Sequence, residues 1–160
     1  MRFETAAIPA GGEPDPVTGA VAPPIHLSTT FVHGPASEPT HGRLYIREGN
    51  PTEERLETTL AALEGGERAL AFASGMAAAG TLLAALEPGA HVVFHRDLYL
   101  GVRQVASEQL PRWGGSASFA DLSDPAAAAA ALTPGTRLVW VETPTNPRLE
   151  ILAPPPPAAR

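Results

Sequence analysis

Cysteine and lysine are both absent from this chain of 160 residues. Without cysteine the chain can form no disulfide and has no thiolate for catalysis or metal binding, which is typical of a cytoplasmic protein. The 11 basic side chains are all arginine. Lysine is the side chain that forms Schiff bases with carbonyl compounds. The 160 residues acting alone therefore cannot use a lysine as a Schiff-base nucleophile.

Positive charge and long apolar runs are scarce as well. The net charge of -6 disfavours a protein that binds the phosphate backbone of nucleic acids. No apolar stretch is long enough to span a bilayer, and the start of the chain lacks the apolar core of a secretory signal. With 44% hydrophobic residues the chain can still bury a core. We therefore expect a soluble, cytoplasmic protein that binds neither nucleic acid nor membrane.

Residues 1–50 are rich in proline, glycine, serine and threonine and have few periodic apolar positions. This composition predicts an extended arm without a core of its own. Such an arm must lie on its own domain or on a neighbouring subunit. Its apolar side chains are the candidates for docking it: Ile25, Leu27, Phe31 and Val32.

Helix and strand patterns alternate through residues 51–152. Asn50 can cap a first helix, and Gly65-Gly66 ends it. Short apolar runs then predict strands, separated by helices, at residues 69–73, 91–95, 116–120 and 137–142. Alternation of this kind predicts an α/β fold with a mainly parallel sheet and helices on both faces.

The turn at Ser74-Gly75 joins the first predicted strand to a helix. The N-terminus of a helix carries unpaired N–H groups and the positive end of the helix dipole, so it can bind a phosphate group. Ordinary packing is the alternative reading of such a turn. Ligands of parallel sheets bind at the carboxyl ends of the strands, where Asp97, Tyr99 and the run after Glu142 also fall.

Several motifs accompany this turn in a fixed order: Tyr45-Ile46-Arg47, Leu63-Glu64-Gly65-Gly66, Ser74-Gly75-Met76, Tyr99 and Glu142-Thr143-Pro144-Thr145-Asn146-Pro147. Together they resemble the pyridoxal-phosphate enzymes of cysteine and methionine metabolism. This trans-sulfuration group includes cystathionine γ-synthase, cystathionine γ-lyase, methionine γ-lyase and the O-acylhomoserine sulfhydrylases. The resemblance extends to Leu149 and implies the N-terminal part of a fold-type-I large domain, here residues 51–152.

The resemblance implies that five residues of this domain bind pyridoxal 5'-phosphate. Gly75 and Met76 would offer backbone N–H groups to the phosphate, and Tyr99 would stack on the pyridine ring. Asn146 would donate a hydrogen bond to the ring hydroxyl oxygen, and Glu142 would support that loop. Taken singly, Tyr99 could instead pack on the sheet, and Asn146 could simply form a turn before proline.

The arm carries the two remaining residues that the resemblance implies in the cofactor site. Tyr45 and Arg47 would reach into the neighbouring subunit's site, where the arginine would pair with the phosphate. A solvated loop charge is the alternative reading for Arg47. The family's subunits assemble as tetramers of dimer pairs, so the resemblance implies a homo-oligomer.

A metal site is not expected. His91 and His95 share one face of a predicted strand, but the sequence shows no evident carboxylate partner for them.

Three departures from the family pattern stand out. The chain has Tyr99-Leu100-Gly101-Val102 where the family often has Tyr-Gly-Gly-Thr, and Tyr45-Ile46-Arg47 where it often has Tyr-Ser-Arg. More severely, the Schiff-base lysine is absent, so no catalytic residue can be assigned. Residues 153–160 are rich in proline and are expected to come from a non-native reading frame, through a frameshift or a misplaced stop.

The expected function is sulfur amino acid metabolism, by formation or elimination of C–S bonds with pyridoxal phosphate. The chain is expected to be truncated, inactive by itself and a weak binder of the cofactor. The alternative is a non-catalytic interaction protein built on half of such a domain, with the arm and the proline-rich tail as ligands for partners.

Overall fold

The computed structural model describes residues 2–152, and the chain divides into two compact units after Ala71. The first unit contains a short helix α1 (Phe3–Ala6) and the longer α2 (Pro51–Glu64). The Asn50 side chain accepts a hydrogen bond from the N–H of Thr52 at 2.8 Å, which caps α2. Gly65 ends the helix with a φ of 66°, a value that favours glycine. The structure therefore groups α2 with residues 2–50, whereas the expected arm ended before that helix.

Polar contacts hold the arm against α2. The N–H of His26 donates to Thr52 Oγ1 at 2.9 Å, and Arg55 donates to the carbonyl oxygen of Glu13 at 2.7 Å. Ile25, Leu27 and Val32, three of the side chains expected to dock the arm, are exposed in this chain. Docking of these side chains on a neighbouring subunit therefore stays a prediction.

The second unit contains the α/β fold. Its helices are α3 (Gly75–Ala84), α4 (Leu100–Gln104) and α5 (Pro125–Ala131), and its strands are β1 (His91–His95), β2 (Ser116–Ala120) and β3 (Thr136–Trp140). After α4 the chain continues as a π-helical turn (Val105–Gln109) and a 3-10 turn (Leu110–Trp113). The 3-10 turn contains Pro111, which has no N–H to donate to an α-helical hydrogen bond.

The three strands form a parallel sheet in the order β2-β1-β3. Val92 and Phe94 of β1 point into the main core, where Leu83 of α3 and Val102 of α4 cover them. Helix α5 contacts β2, and on the other face it lines a groove together with Val93 of β1. The expected α/β class, with a parallel sheet and helices on both faces, is confirmed.

One predicted strand is wrong. Residues 69–73 form no strand, because no strand within residues 2–152 lies alongside them to complete a hydrogen-bonded ladder. The N–H of Ala71 instead donates to Glu57 Oε1 at 2.8 Å. The expectation for residues 153–160 lies outside the described residues.

None of the helices among residues 2–152 combines the length and the apolar character that crossing a membrane requires.

Candidate functional site

The start of α3 offers N–H groups for an anion. The Ser74 side chain accepts a hydrogen bond from the N–H of Ala77 at 3.0 Å, and its carbonyl oxygen accepts from Ala78 at 3.1 Å. Ser74 has the extended backbone of a helix cap, with φ -162° and ψ 159°. No acceptor within residues 2–152 takes the N–H of Gly75 or Met76. These two donors therefore lie at the positive end of the helix dipole.

Two side chains beside the start of α3, those of Tyr99 and Met76, both approach Gly101. A Cβ atom on Gly101 would lie 2.7 Å from Cε1 of Tyr99 and 2.9 Å from the sulfur of Met76. Only a residue without a side chain allows this approach. The Tyr99 side chain is 49% exposed, so part of its ring remains available to a ligand. The structure thus brings Tyr99 and Met76 together, and Gly101 is a residue of this site that the sequence reasoning did not single out.

Glu142 joins β3 to the start of α4. Its Oε2 accepts a hydrogen bond from the backbone N–H of Tyr99 at 2.7 Å. Its Oε1 accepts from the indole Nε1 of Trp140 at 3.1 Å. One carboxylate oxygen therefore holds the backbone at Tyr99, and the other holds the indole of Trp140.

Asn146 lies in a loop that closes on Thr145. The N–H of Thr145 donates to the carbonyl oxygen of Glu150 at 2.9 Å, and the Thr145 carbonyl accepts from Leu149 at 2.9 Å. The Thr145 hydroxyl also accepts from the N–H of Glu150 at 3.1 Å, and the residue is fully buried. Asn146 itself is exposed, so this loop holds its backbone and leaves its amide accessible.

A polar cluster at the end of β1 was not expected. His95, Asp97 and Glu150 each place one nitrogen or oxygen atom within 4.8 Å of the others. His95 has no exposed surface, and Asp97 is mostly buried. The sequence offered one signal for this cluster, because Asp97 follows the carboxyl end of a predicted strand. His91, by contrast, bonds to Ser118 and Thr136 on the neighbouring strands.

One carboxylate near this end of the sheet has a shifted pKa. Hydrogen bonds from the hydroxyl and the backbone N–H of Ser123 hold the pKa of Asp121 below its usual value. The guanidinium of Arg96, whose Nη2 lies 2.8 Å from Asp121 Oδ2, acts in the same direction.

Tyr45 and Arg47 lie in the first unit. The guanidinium carbon of Arg47 lies 4.4 Å from the centre of the Tyr45 ring, which is the geometry of a cation–π contact. The backbone of Tyr45 pairs with that of Thr30, and the N–H of Ile46 donates to Thr29 at 2.9 Å. The arm therefore presents these two side chains as one contiguous group.

Comparison with known proteins agrees with these motifs. A family described as "Cys/Met metabolism PLP-dependent enzyme" matches residues 4–153. A probable cystathionine gamma-synthase of Herpetosiphon aurantiacus is 45% identical over 149 residues, which are 93% of this chain and 46% of that protein. A cystathionine gamma-lyase of Bos taurus is 44% identical over 153 residues, which are 95% of this chain and 38% of that protein.

A solved structure shares the fold of the chain. The crystal structure of metB from Corynebacterium glutamicum superposes with a TM-score of 0.87 at 43% identity, covering 94% of this chain and 40% of that one. The chain thus spans less than half the length of the relatives that it matches. Because the family match covers both units and includes all the motifs of the site, the chain belongs to the Cys/Met metabolism family of pyridoxal-phosphate-dependent enzymes.

Proposed function

We propose that this chain supplies the face of a trans-sulfuration active site that binds the phosphate and the ring of pyridoxal 5'-phosphate. The observation that carries this proposal is the start of α3, where the N–H groups of Gly75 and Met76 have no acceptor within residues 2–152. The Met76 sulfur and the Tyr99 ring both lie close to Gly101 there. A dianionic phosphate satisfies such donors, and an aromatic ring stacks on an exposed tyrosine. These features fit the cofactor of the family.

Each residue then has a distinct task. Gly75 and Met76 would bind the phosphate through their N–H groups, and Tyr99 would cover one face of the ring. Asn146 would donate to the ring hydroxyl oxygen, while Glu142 fixes the backbone of Tyr99. Tyr45 and Arg47 would complete the phosphate site of a second subunit in a homo-oligomer, where the guanidinium would add charge-assisted hydrogen bonds.

The reaction class follows from the relatives and stays a proposal for this chain. Pyridoxal phosphate, when bound, acts as an electron sink for carbanions of amino acids. In the relatives named above, that chemistry is the synthesis or the cleavage of cystathionine. We propose the same class here, C–S bond formation or elimination on a sulfur amino acid.

The 160 residues also set a limit, because they contain no lysine. They can orient the cofactor and exclude water from one side of it, but they offer no side-chain amine to tether it. We therefore propose that these residues by themselves are inactive. Treatment with pyridoxal 5'-phosphate and borohydride should label no side chain, and any label should map to the terminal α-amino group. A label on an internal peptide would contradict this.

The phosphate site can be tested with Gly75→Pro. Proline is favoured at the first position of a helix, and the extended backbone of Ser74 suits a residue that precedes proline. The variant thus removes one N–H donor while keeping α3. Pyridoxine 5'-phosphate is a suitable probe, because it carries the ring, the hydroxyl and the phosphate without a reactive aldehyde.

In equilibrium dialysis we expect Gly75→Pro to weaken binding of this probe about tenfold, the value of a hydrogen bond to a charged group. The far-ultraviolet circular dichroism of the variant should match that of the original chain. Equal binding by both chains, or no binding by the original chain, would overturn the proposed site.

A further inference from the structure

The Asp97 carboxylate, at the end of β1, lies among three cationic or N–H groups. Its Oδ2 is 3.5 Å from Nε of Arg148, 3.8 Å from Nε of Arg96 and 4.0 Å from Nε2 of His95. The oxygen is buried and makes no hydrogen bond within the described chain, and neither does His95 Nε2. Because Arg148 belongs to the loop that follows β3, this ion pair connects that loop to the end of β1.

A metal ion does not suit this cluster. The backbone N–H of Leu122 donates to His95 Nδ1 at 3.1 Å, so the ring proton of the neutral imidazole lies on Nε2. A protonated Nε2 has no lone pair for a metal. In addition, the arginine groups near Asp97 already supply positive charge. The Asp97 carboxylate is better described as a charge that faces cationic side chains from separate segments at ion-pair distance.

Two connections join the segment 97–99 to the segment 142–150. The first is the hydrogen bond from the N–H of Tyr99 to Glu142. The second is the ion pair of Asp97 with Arg148. They lie on either side of Asn146, since Glu142 precedes it and Arg148 follows it.

The loop between these connections behaves as one hydrogen-bonded ring. Thr145 bonds to Leu149 once and to Glu150 twice, so residues 145–150 cannot move independently of each other without breaking these bonds. A restraint at Arg148 is therefore transmitted to Asn146. Asp97, the partner of Arg148 in this ion pair, lies two residues before Tyr99.

We infer that Asp97 and Arg148 are a positioning pair that sets the separation between Tyr99 and Asn146, the two groups proposed to contact the cofactor ring. Asp97 does not touch the ring in this inference. It acts by holding the loop of Asn146 against the end of β1. The ring contacts rest on the proposed function, whereas the pairing of the two segments does not.

The pairing is tested first without any ligand. Asp97→Asn keeps the size of the side chain and removes its charge. We expect amide hydrogen exchange in residues 143–150 to become about two- to five-fold faster, the range for an ion pair whose arginine is exposed. Arg148→Gln should do the same, and Arg148→Lys should largely restore slow exchange. Glu108→Gln is the matched control, because it removes the same charge from an exposed side chain that is outside the ion pairs of Asp97.

The second measurement uses dialysis against pyridoxine 5'-phosphate and, separately, inorganic phosphate. Asp97→Asn should weaken binding of pyridoxine 5'-phosphate about two- to five-fold and leave binding of inorganic phosphate unchanged, because the start of α3 is not altered. The difference should fade at high salt, which screens the pair. A merely structural role would weaken both ligands together.

The outcomes separate the two proposals. Unchanged exchange in both Asp97→Asn and Arg148→Gln would overturn the positioning pair, whatever the dialysis shows. Faster exchange with equal loss of both ligands would also overturn it. Faster exchange in a chain that binds no pyridoxine 5'-phosphate would retain the pairing of the two segments and overturn the proposed function.

Discussion

Gly101 shows how a single residue shapes the proposed ring site. Its missing side chain leaves the space that the Tyr99 ring and the Met76 sulfur fill. Both neighbours are side chains, so a new methyl group would displace them rather than break the helix. The helical position of Gly101 is otherwise ordinary, since its φ is not in the left-handed region.

Gly101→Ala should therefore reduce binding of pyridoxine 5'-phosphate several-fold while α4 is retained. Gly80→Ala is the matched control, because Gly80 lies inside α3 and a Cβ there meets nothing within 4 Å. That control should raise the free energy of unfolding by up to about 1 kcal/mol through helix propensity. Dialysis and urea unfolding measure the two effects. Unchanged binding in Gly101→Ala would contradict the role given to Tyr99.

Glu142 permits a second prediction at the residue scale. Both of its oxygens accept hydrogen bonds, one from Tyr99 and one from Trp140. In Glu142→Gln one acceptor becomes an NH2 group that faces another donor, which leaves a partly buried N–H unpaired. We expect the free energy of unfolding to fall by about 1–3 kcal/mol. Urea unfolding followed by tryptophan fluorescence checks this, with the exposed Glu108→Gln as the control.

At the scale of elements, the ion pair between Arg43 and Glu54 links the arm to α2. The Nε of Arg43 donates to Glu54 Oε1 at 2.9 Å, and a second contact joins Nη2 to Oε2. The hydrogen bonds from Arg43 lower the pKa of Glu54 below its usual value, against the opposing effect of partial burial. The folded state therefore binds fewer protons than the unfolded chain in the acid range.

This pair should make the first unit sensitive to acid. Because the pKa of Glu54 is lowered on folding, its contribution is present above the ordinary pKa of the carboxyl, near 4.5, and is lost as the pH falls through the lowered value. Arg43→Gln should remove the contribution, worth up to about 1 kcal/mol for a pair this exposed. Unfolding of α2, followed by circular dichroism between neutral pH and the acid range, measures it. A steeper acid dependence in the variant than in the original chain would contradict the assignment, and Arg43→Lys should be intermediate.

At the scale of the whole molecule, the second unit has an apolar groove of about 770 Å³ beside α5. Leu132, Val139 and Ile151 line it and are each more than two-fifths exposed. Within the described residues, β3 pairs with β1 on one side and has no strand on the other. An apolar face next to a free strand edge is a site for self-association.

Val139→Lys should reduce self-association of the isolated chain, because it places a charge in the groove. Val17→Lys is the matched control, since it changes the net charge equally at a position that is 90% exposed in the first unit. Sedimentation velocity over a range of concentrations distinguishes the two variants. If both variants associate like the original chain, the groove is not the contact surface.

Much of the local structure could be predicted from neighbouring residues. Asn50, Ser74 and Asp124 cap α2, α3 and α5 by hydrogen bonds that span only two or three residues. The apolar runs of β1 and β2 also appear at the predicted positions. The predicted strand at residues 69–73 failed because a strand exists only beside a partner, and that partner is not a local property.

The sequence by itself determined the α/β class, the family motifs and the absence of any lysine amine. The tertiary structure alone decided which side chains meet: Tyr99 with Met76 over Gly101, Glu142 with Tyr99, and Asp97 with Arg148. Capping and periodicity act over one or two turns of chain and can be read in order. Contacts between the ends of different strands depend on how the sheet brings distant segments together, which no local pattern specifies.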